Sequence, residues 1–253
     1  MNKMCRNLCM RRKERKMKQN YDLTDIVNVI SEKMNNPMVD IVRNGTVGVA
    51  GLVNPFFGVA AGIGNDLLSK FNDFKLGCLL NGLASEQNTE KRLNQLYTYV
   101  NSTPEKAIIV ANLFKQTINA ESPKACIIYG MIMANHLDKD TKFTHEELIV
   151  CKAIESATDY DLDNFKEIMD NYMKSINGER KIVFPNGFPK TDELISTCDW
   201  CVYNRIFISK TLEVESFDDV VLDMGTHYYE SPPARVLLDY INDTKRIWYY
   251  DDI

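Results

Sequence analysis

Cys198-Asp-Trp-Cys201 is the one C-x-x-C in the chain. Thiolates at that spacing can share a metal ion or form a redox pair. Structural zinc usually takes two such pairs, and no second pair is present; His227 is the nearest downstream histidine. A redox role calls for a βαβ setting, whereas the elements ahead of this motif read as helices. Cys198 and Cys201 are thus the candidate metal ligands. They stand against a plainer reading in which both thiols and Trp200 pack at the end of a short helix.

Asp159-Tyr-Asp161-Leu-Asp163 resembles the opening of a calcium loop, but Asn164 stands where the loop needs Gly and Asp170 where it needs Glu. These acids fit better as helix N-terminal charges. Gly62-Ile-Gly64 is not a dinucleotide fingerprint, because Leu67 holds the third glycine position. The chain has no G-x-x-x-x-G-K, G-x-S-x-G or H-E-x-x-H. His136, His145 and His227 are far apart, so Cys126–His136 or Cys151–His145 could act as a nucleophile pair only if the fold brings them together. No cofactor is expected, and the motifs point away from an enzyme.

The elements that would carry these residues are mainly helical. Apolar spacing predicts helices over 24–35, over 66–83 (Leu67, Leu68, Phe71, Phe74, Leu79) and over 89–101 (Leu93, Leu96, Tyr97, Val100). Thr103-Pro104 and Ser122-Pro123 are start signals: a hydroxyl caps an orphan N–H, and proline fits the first turn. The first of these opens a stripe of Ala107, Ala111, Phe114 and Ile118. The second opens a segment, Ala125–Met133, that is apolar nearly all round and therefore belongs in the core. Thr144-His-Glu-Glu147 is a capping box opening a helix to about Ala157. Asp161 is expected to cap the next, with Leu162, Phe165, Met169, Tyr172 and Ile176 as its stripe.

After Gly178 the pattern changes. Lys181–Phe184, Val202–Ser209 and Arg246–Tyr250 read as strands, and Thr191–Cys198 and Ala234–Asn242 as helices. The expected fold is mainly α, a multi-helix bundle with a smaller C-terminal α+β part. The expected organisation is a basic lead over 1–20, a helical domain over 21–177 and an acidic mixed domain over 178–253. In element order alone, roughly 145–250 resembles the layout of winged-helix domains. A DNA-binding role does not follow, since Thr191–Cys198 carries Asp192 and Glu193 and no Lys or Arg.

One segment stands apart. Residues 44–65, NGTVGVAGLVNPFFGVAAGIGN, run for 22 residues without a charge and hold six of the chain's 12 glycines. As a helix they would span about 33 Å, the thickness of a bilayer core. Gly58, Ala61 and Gly62 would let helices approach closely. Asn54-Pro55 at the centre instead favours two apolar pieces around a turn, with Val53 before it and Phe56-Phe57 after. Such a hairpin could be buried core, a partner surface or a membrane element. Val53, Pro55, Phe56, Phe57, Gly58 and Gly62 are the candidate membrane or partner residues.

Charge narrows the partners. The formal net charge is -5, yet residues 1–18 hold eight basic residues against Glu14, which leaves -12 on the remainder. An acidic body argues against a large nucleic-acid face. The seven cysteines form an odd set without framework spacing, which suggests reduced thiols and a cytoplasmic setting. The expected function is a non-enzymatic interaction or effector protein with a protein partner and conditional membrane contact through 44–65. Bacterial or phage defence, toxin and immunity proteins are built from comparable parts. The alternative is a soluble regulatory or adaptor protein with a winged-helix-like C-terminal domain. An enzyme hidden in the helical core comes third.

Overall fold

The computed structural model describes residues 21, 23–34, 66–84, 88–184, 190–211 and 226–248. Within them lie nine α-helices, one π-helical turn and four strands. In chain order these are α1 (Leu23–Met34), α2 (Asp66–Leu83), α3 (Thr89–Ser102), α4 (Pro104–Asn119), α5 (Pro123–Lys139), α6 (His145–Ile154) and α7 (Asp159–Glu167). The π turn Ile168–Tyr172, β1 (Met173–Ile176), β2 (Glu179–Ile182), α8 (Thr191–Tyr203), β3 (Phe207–Thr211), β4 (Thr226–Glu230) and α9 (Pro232–Trp248) follow. The fold is mainly α with a small antiparallel sheet at its C-terminal end, as the sequence pattern implies.

The described residues pack as two units. The first gathers α1, α3 and the α4 residues up to Ala111; the second gathers α2, the rest of α4 and everything from α5 onward. In the first, α1 buries Ile26, Val29 and Ile30, the i, i+3, i+4 face of an amphipathic helix. Helix α3 buries Arg92, Leu96, Tyr99 and Val100. The expected stripe is thus rotated: Arg92 and Tyr99 turn inward, while Leu93 and Tyr97 are half-buried. The cause is a set of specific partners. Tyr97 stacks on Tyr21 with ring centroids 3.5 Å apart, the Tyr21 N–H donates to Asn94 Oδ1 at 3.1 Å, and Arg92 donates to Gln95 Oε1 at 3.1 Å.

In the second unit α5 is the central helix, and every residue from Ala125 to Ala134 is buried. Its tightest neighbour is α2. A Cβ on Gly130 would lie 2.0 Å from the Leu79 carbonyl oxygen, and one on Gly82 would lie 2.0 Å from that of Ile127. The two backbones therefore touch through paired glycines, a contact any side chain would block. Phe74, expected in the core, is 52% exposed; Lys75 turns inward instead and donates from Nζ to the Ile118 carbonyl at 2.7 Å. A cation on a carbonyl in the last turn of α4 satisfies an orphan acceptor and opposes the helix dipole.

The caps follow the sequence closely. Ser122 accepts the Ala125 N–H, and Thr144 and Glu147 close the expected capping box. One expectation shifts: Thr158 is the N-cap of α7, and Asp161 is its third-residue partner in a second box. The stripe through Ile176 is cut short, because α7 gives way to the π turn and then to β1. Asn177 and Gly178, with φ of 52 and 82, turn β1 into β2, as Asn-Gly does in a type I′ hairpin. Residues Val202 and Tyr203 belong to α8, and the strand beyond begins at Phe207. Helix α9 continues through Trp248, so the strand expected over 246–250 is absent up to that residue. Strand β4 has no counterpart in the sequence reading.

The sheet order is β1-β2-β4-β3, all antiparallel. Phe207, Ile182 and Tyr228 are buried on its inner face, where Phe207 stacks on Phe165 of α7 at 5.5 Å. Asn135 of α5 donates to the Tyr240 hydroxyl of α9 at 2.9 Å. The sheet and the last helix thus share one core with α5 to α7.

Candidate functional site

The polar group with the most chemical potential is built where α5 ends and α6 begins. His136 sits in the last turn of α5, and Asp140 in the left-handed region (φ 48) terminates that helix. The next residues loop back so that Thr144 starts α6. This brings His136 Nε2 to 3.0 Å from Glu147 Oε2. The same Oε2 accepts the Thr144 N–H at 2.9 Å, so the capping carboxylate also serves as a tertiary acceptor. Its other oxygen accepts the Tyr240 hydroxyl at 3.2 Å. His136 Nδ1 faces the Thr141 carbonyl at 3.2 Å and the Thr141 hydroxyl at 3.1 Å. Phe143 stacks on the imidazole at 3.9 Å.

Burial pushes the Glu147 carboxyl upward, but hydrogen bonds from His136 and the Thr144 N–H, the His136 charge and the Tyr240 hydroxyl outweigh it and hold the carboxyl at about 2. Histidine, glutamate and tyrosine could together move protons. Here each is spent on another. Both ring nitrogens are engaged, both Glu147 oxygens accept, and the His136 side chain is only 5% exposed. The arrangement works as a clasp that ties α5, the 140–144 loop, α6 and α9 together.

The thiols are equally enclosed. Cys78, Cys126, Cys151, Cys198 and Cys201 are free and buried. Burial pushes Cys126 and Cys198 up to about 12, and Cys151 and Cys201 also rise through burial. A thiol held protonated is a weak nucleophile and a weak metal ligand. Cys126 points its sulfur at the Thr117 carbonyl at 3.5 Å, and His136 turns to Thr141 and Glu147, so these two form no nucleophile pair. His145 is exposed at the start of α6, whereas Cys151 is buried. The candidate ligands Cys198 and Cys201 lie in α8, and the Cys201 carbonyl accepts the Ile206 N–H at 2.7 Å where the helix ends. Among the described residues no group of three or more His, Cys, Asp or Glu could hold a metal ion. The three aspartates near 160 diverge: Asp159 meets Ser122, Asp161 closes its capping box, and Asp163 pairs with Lys124 at 2.6 Å.

Val53, Pro55, Phe56, Phe57, Gly58 and Gly62 lie outside the described residues. Among the described residues, no helix is long and apolar enough to cross a membrane. The clasp is what sequence reasoning missed. Its Thr144–Glu147 half is legible as a capping box; Tyr240 lies 93 residues away and carries no local signal. Comparison of the chain with protein-family models, curated proteins and solved structures finds no match.

Proposed function

We propose that the protein is a non-enzymatic interaction or effector protein in which residues 44–65 make a conditional membrane contact, at rest held by the chain itself or by a protein partner. The observation that carries this reading is the segment's composition: 22 residues without a charge, rich in Gly, Ala and Val rather than Leu. Ordinary cores use side chains that both pack and favour helix, whereas six glycines weaken a helix in water at about 1 kcal/mol each relative to Ala. Glycine and proline are more frequent within lipid. The use of His136, Glu147 and Tyr240 as a clasp, and the enclosure of the thiols, support a body that serves as scaffold. A role among bacterial or phage defence, toxin or immunity proteins fits these parts, with the chain working at the cytoplasmic face of the membrane. The test is fractionation of the expressed chain with an alkaline carbonate wash. Val53→Asp and Gly62→Leu should each abolish carbonate-resistant association while far-ultraviolet helical signal persists; association that survives both refutes the reading.

A further inference from the structure

One end of the C-terminal sheet gathers arginines that its ion pairs do not use up. The Lys181–Tyr229 pairing places Arg180 of β2 opposite Glu230 of β4, and Phe207 of β3 is in register with Glu230 on its other side. The Glu230 side chain is only 3% exposed, yet its two partners face solvent: Arg180 is 41% and Arg235 65% exposed. Arg235, in the first turn of α9, donates from Nε and Nη2 to one oxygen, Oε2, at 2.9 and 2.7 Å. Arg180 Nη1 stands 2.7 Å from Oε1 without the alignment of a hydrogen bond. One buried carboxylate thus holds two guanidiniums together, and most of the N–H donors on each stay clear of it. Helix α9 adds no donor at its first two positions, Pro232 and Pro233, which lack an N–H.

A third arginine lies at the same end. The Ser231 hydroxyl donates to the Ile206 carbonyl, so Arg205 is beside the start of α9. Arg205 follows the end of α8 in the left-handed region, φ 63, where glycine is the usual residue. It is exposed, and its guanidinium meets no carboxylate or carbonyl among the described residues. Backbone strain kept at a non-glycine residue points to a task for the side chain. Against these three cations stand Glu230 and, one turn along α9, the exposed Asp239. The sheet's lysines are elsewhere: alternation sets Lys174, Lys181 and Lys210 on the opposite face.

We propose that Arg180, Arg205 and Arg235 form a binding site for a phosphate group, with Glu230 as the buried post that fixes two of them. The guanidinium fork matches phosphate oxygens two at a time, and charge-assisted bonds of this kind are the strong ones. Ser175, directly opposite Arg180 on β1 and exposed, adds a hydroxyl at the rim. One compact patch suits a single phosphate group; a nucleic-acid strand needs a basic track, and the body as a whole is acidic. The site is independent of 44–65, so the Val53→Asp chain retains it.

The test is a nitrogen-15 NMR titration of the full chain, with inorganic phosphate replacing chloride at constant ionic strength. Saturating shifts are expected at the amides of Arg180, Arg205 and Arg235 and not at Lys174 or Lys181, with half-saturation near about 1 mM. Arg205→Gly should weaken binding at least about fivefold while the protein melts at or above the wild-type temperature, because glycine relieves the left-handed backbone. Arg235→Lys keeps a cation on Glu230 but loses the fork, and should weaken binding at least about threefold. The proposal is overturned by no saturation up to about 20 mM phosphate, by shifts centred on the lysine face, or by unchanged binding in either variant. A second arm with O-phosphoserine identifies the source of the group. Tighter binding of the ester would support a phosphorylated molecule as ligand, and tighter binding of inorganic phosphate the free ion.

Discussion

Glu147→Gln is the sharpest probe of the clasp. The substitution keeps the size of the side chain and removes its charge. In the folded chain the carboxyl is held at about 2 against an ordinary 4.5. Its folded-state value is depressed, so its contribution is present above the unfolded value and is lost as pH falls toward the folded one. At 1.36 kcal/mol per unit, the full contribution at pH 7 is about 3 kcal/mol. The side chain is only 12% exposed, so solvent screens this little. Linkage leaves about 1 kcal/mol of it at pH 3. Urea unfolding of wild type and variant, followed by circular dichroism between pH 7 and pH 3, should therefore show a stability gap that narrows by about 2 kcal/mol. A gap that is constant with pH would refute the assignment, because Glu147 would then contribute shape and not charge.

Three further outcomes follow from the same packing. Gly130→Ala should destabilise by about 2 kcal/mol or more, since the new methyl meets backbone and no rotamer can relieve it; Gly77→Ala, with nothing within 4 Å, should gain up to about 1 kcal/mol from helix propensity. Thermal melts of the two variants, one lowered and one raised, check the crossing. Native protein treated with a thiol-specific chromogenic reagent should leave Cys78, Cys126, Cys151, Cys198 and Cys201 unreacted, with all seven cysteines reacting after denaturation. Rapid native labelling of Cys198 or Cys201, read by peptide mapping, would contradict their enclosure.

Much of the helical layer was legible because it depends on local rules. The Ser122 and Thr144 caps, the all-round apolar run of α5 and the mainly-α fold with a small C-terminal sheet all follow from side-chain type at fixed offsets. What was not legible depends on contacts distant in sequence. Lys75 turns inward to donate to the Ile118 carbonyl, forty-three positions along the chain, and periodicity alone places such a residue outside. Among the described residues two helices approach closely at Gly82 and Gly130, glycines separated by forty-eight positions of chain, so no local spacing marks the pair. Asn177-Gly178 is a hairpin signal in its own right; the apolar stripe through Ile176 masks it, because a short strand can share a helical spacing. The β3–β4 pairing joins Thr211 to Thr226, a long-range contact without a short-turn signature. The clasp shows both cases at once, since its capping half is local and its tyrosine is not.

Residues 44–65 carry the proposed membrane role, and partitioning of the whole chain tests it most directly. Wild-type protein separated into soluble and membrane fractions and washed in alkaline carbonate should leave a resistant membrane pool, and Val53→Asp should remove that pool without loss of helical signal. Protein that is entirely soluble and monodisperse, with no carbonate-resistant pool, would contradict the membrane role and return the segment to core or partner interface.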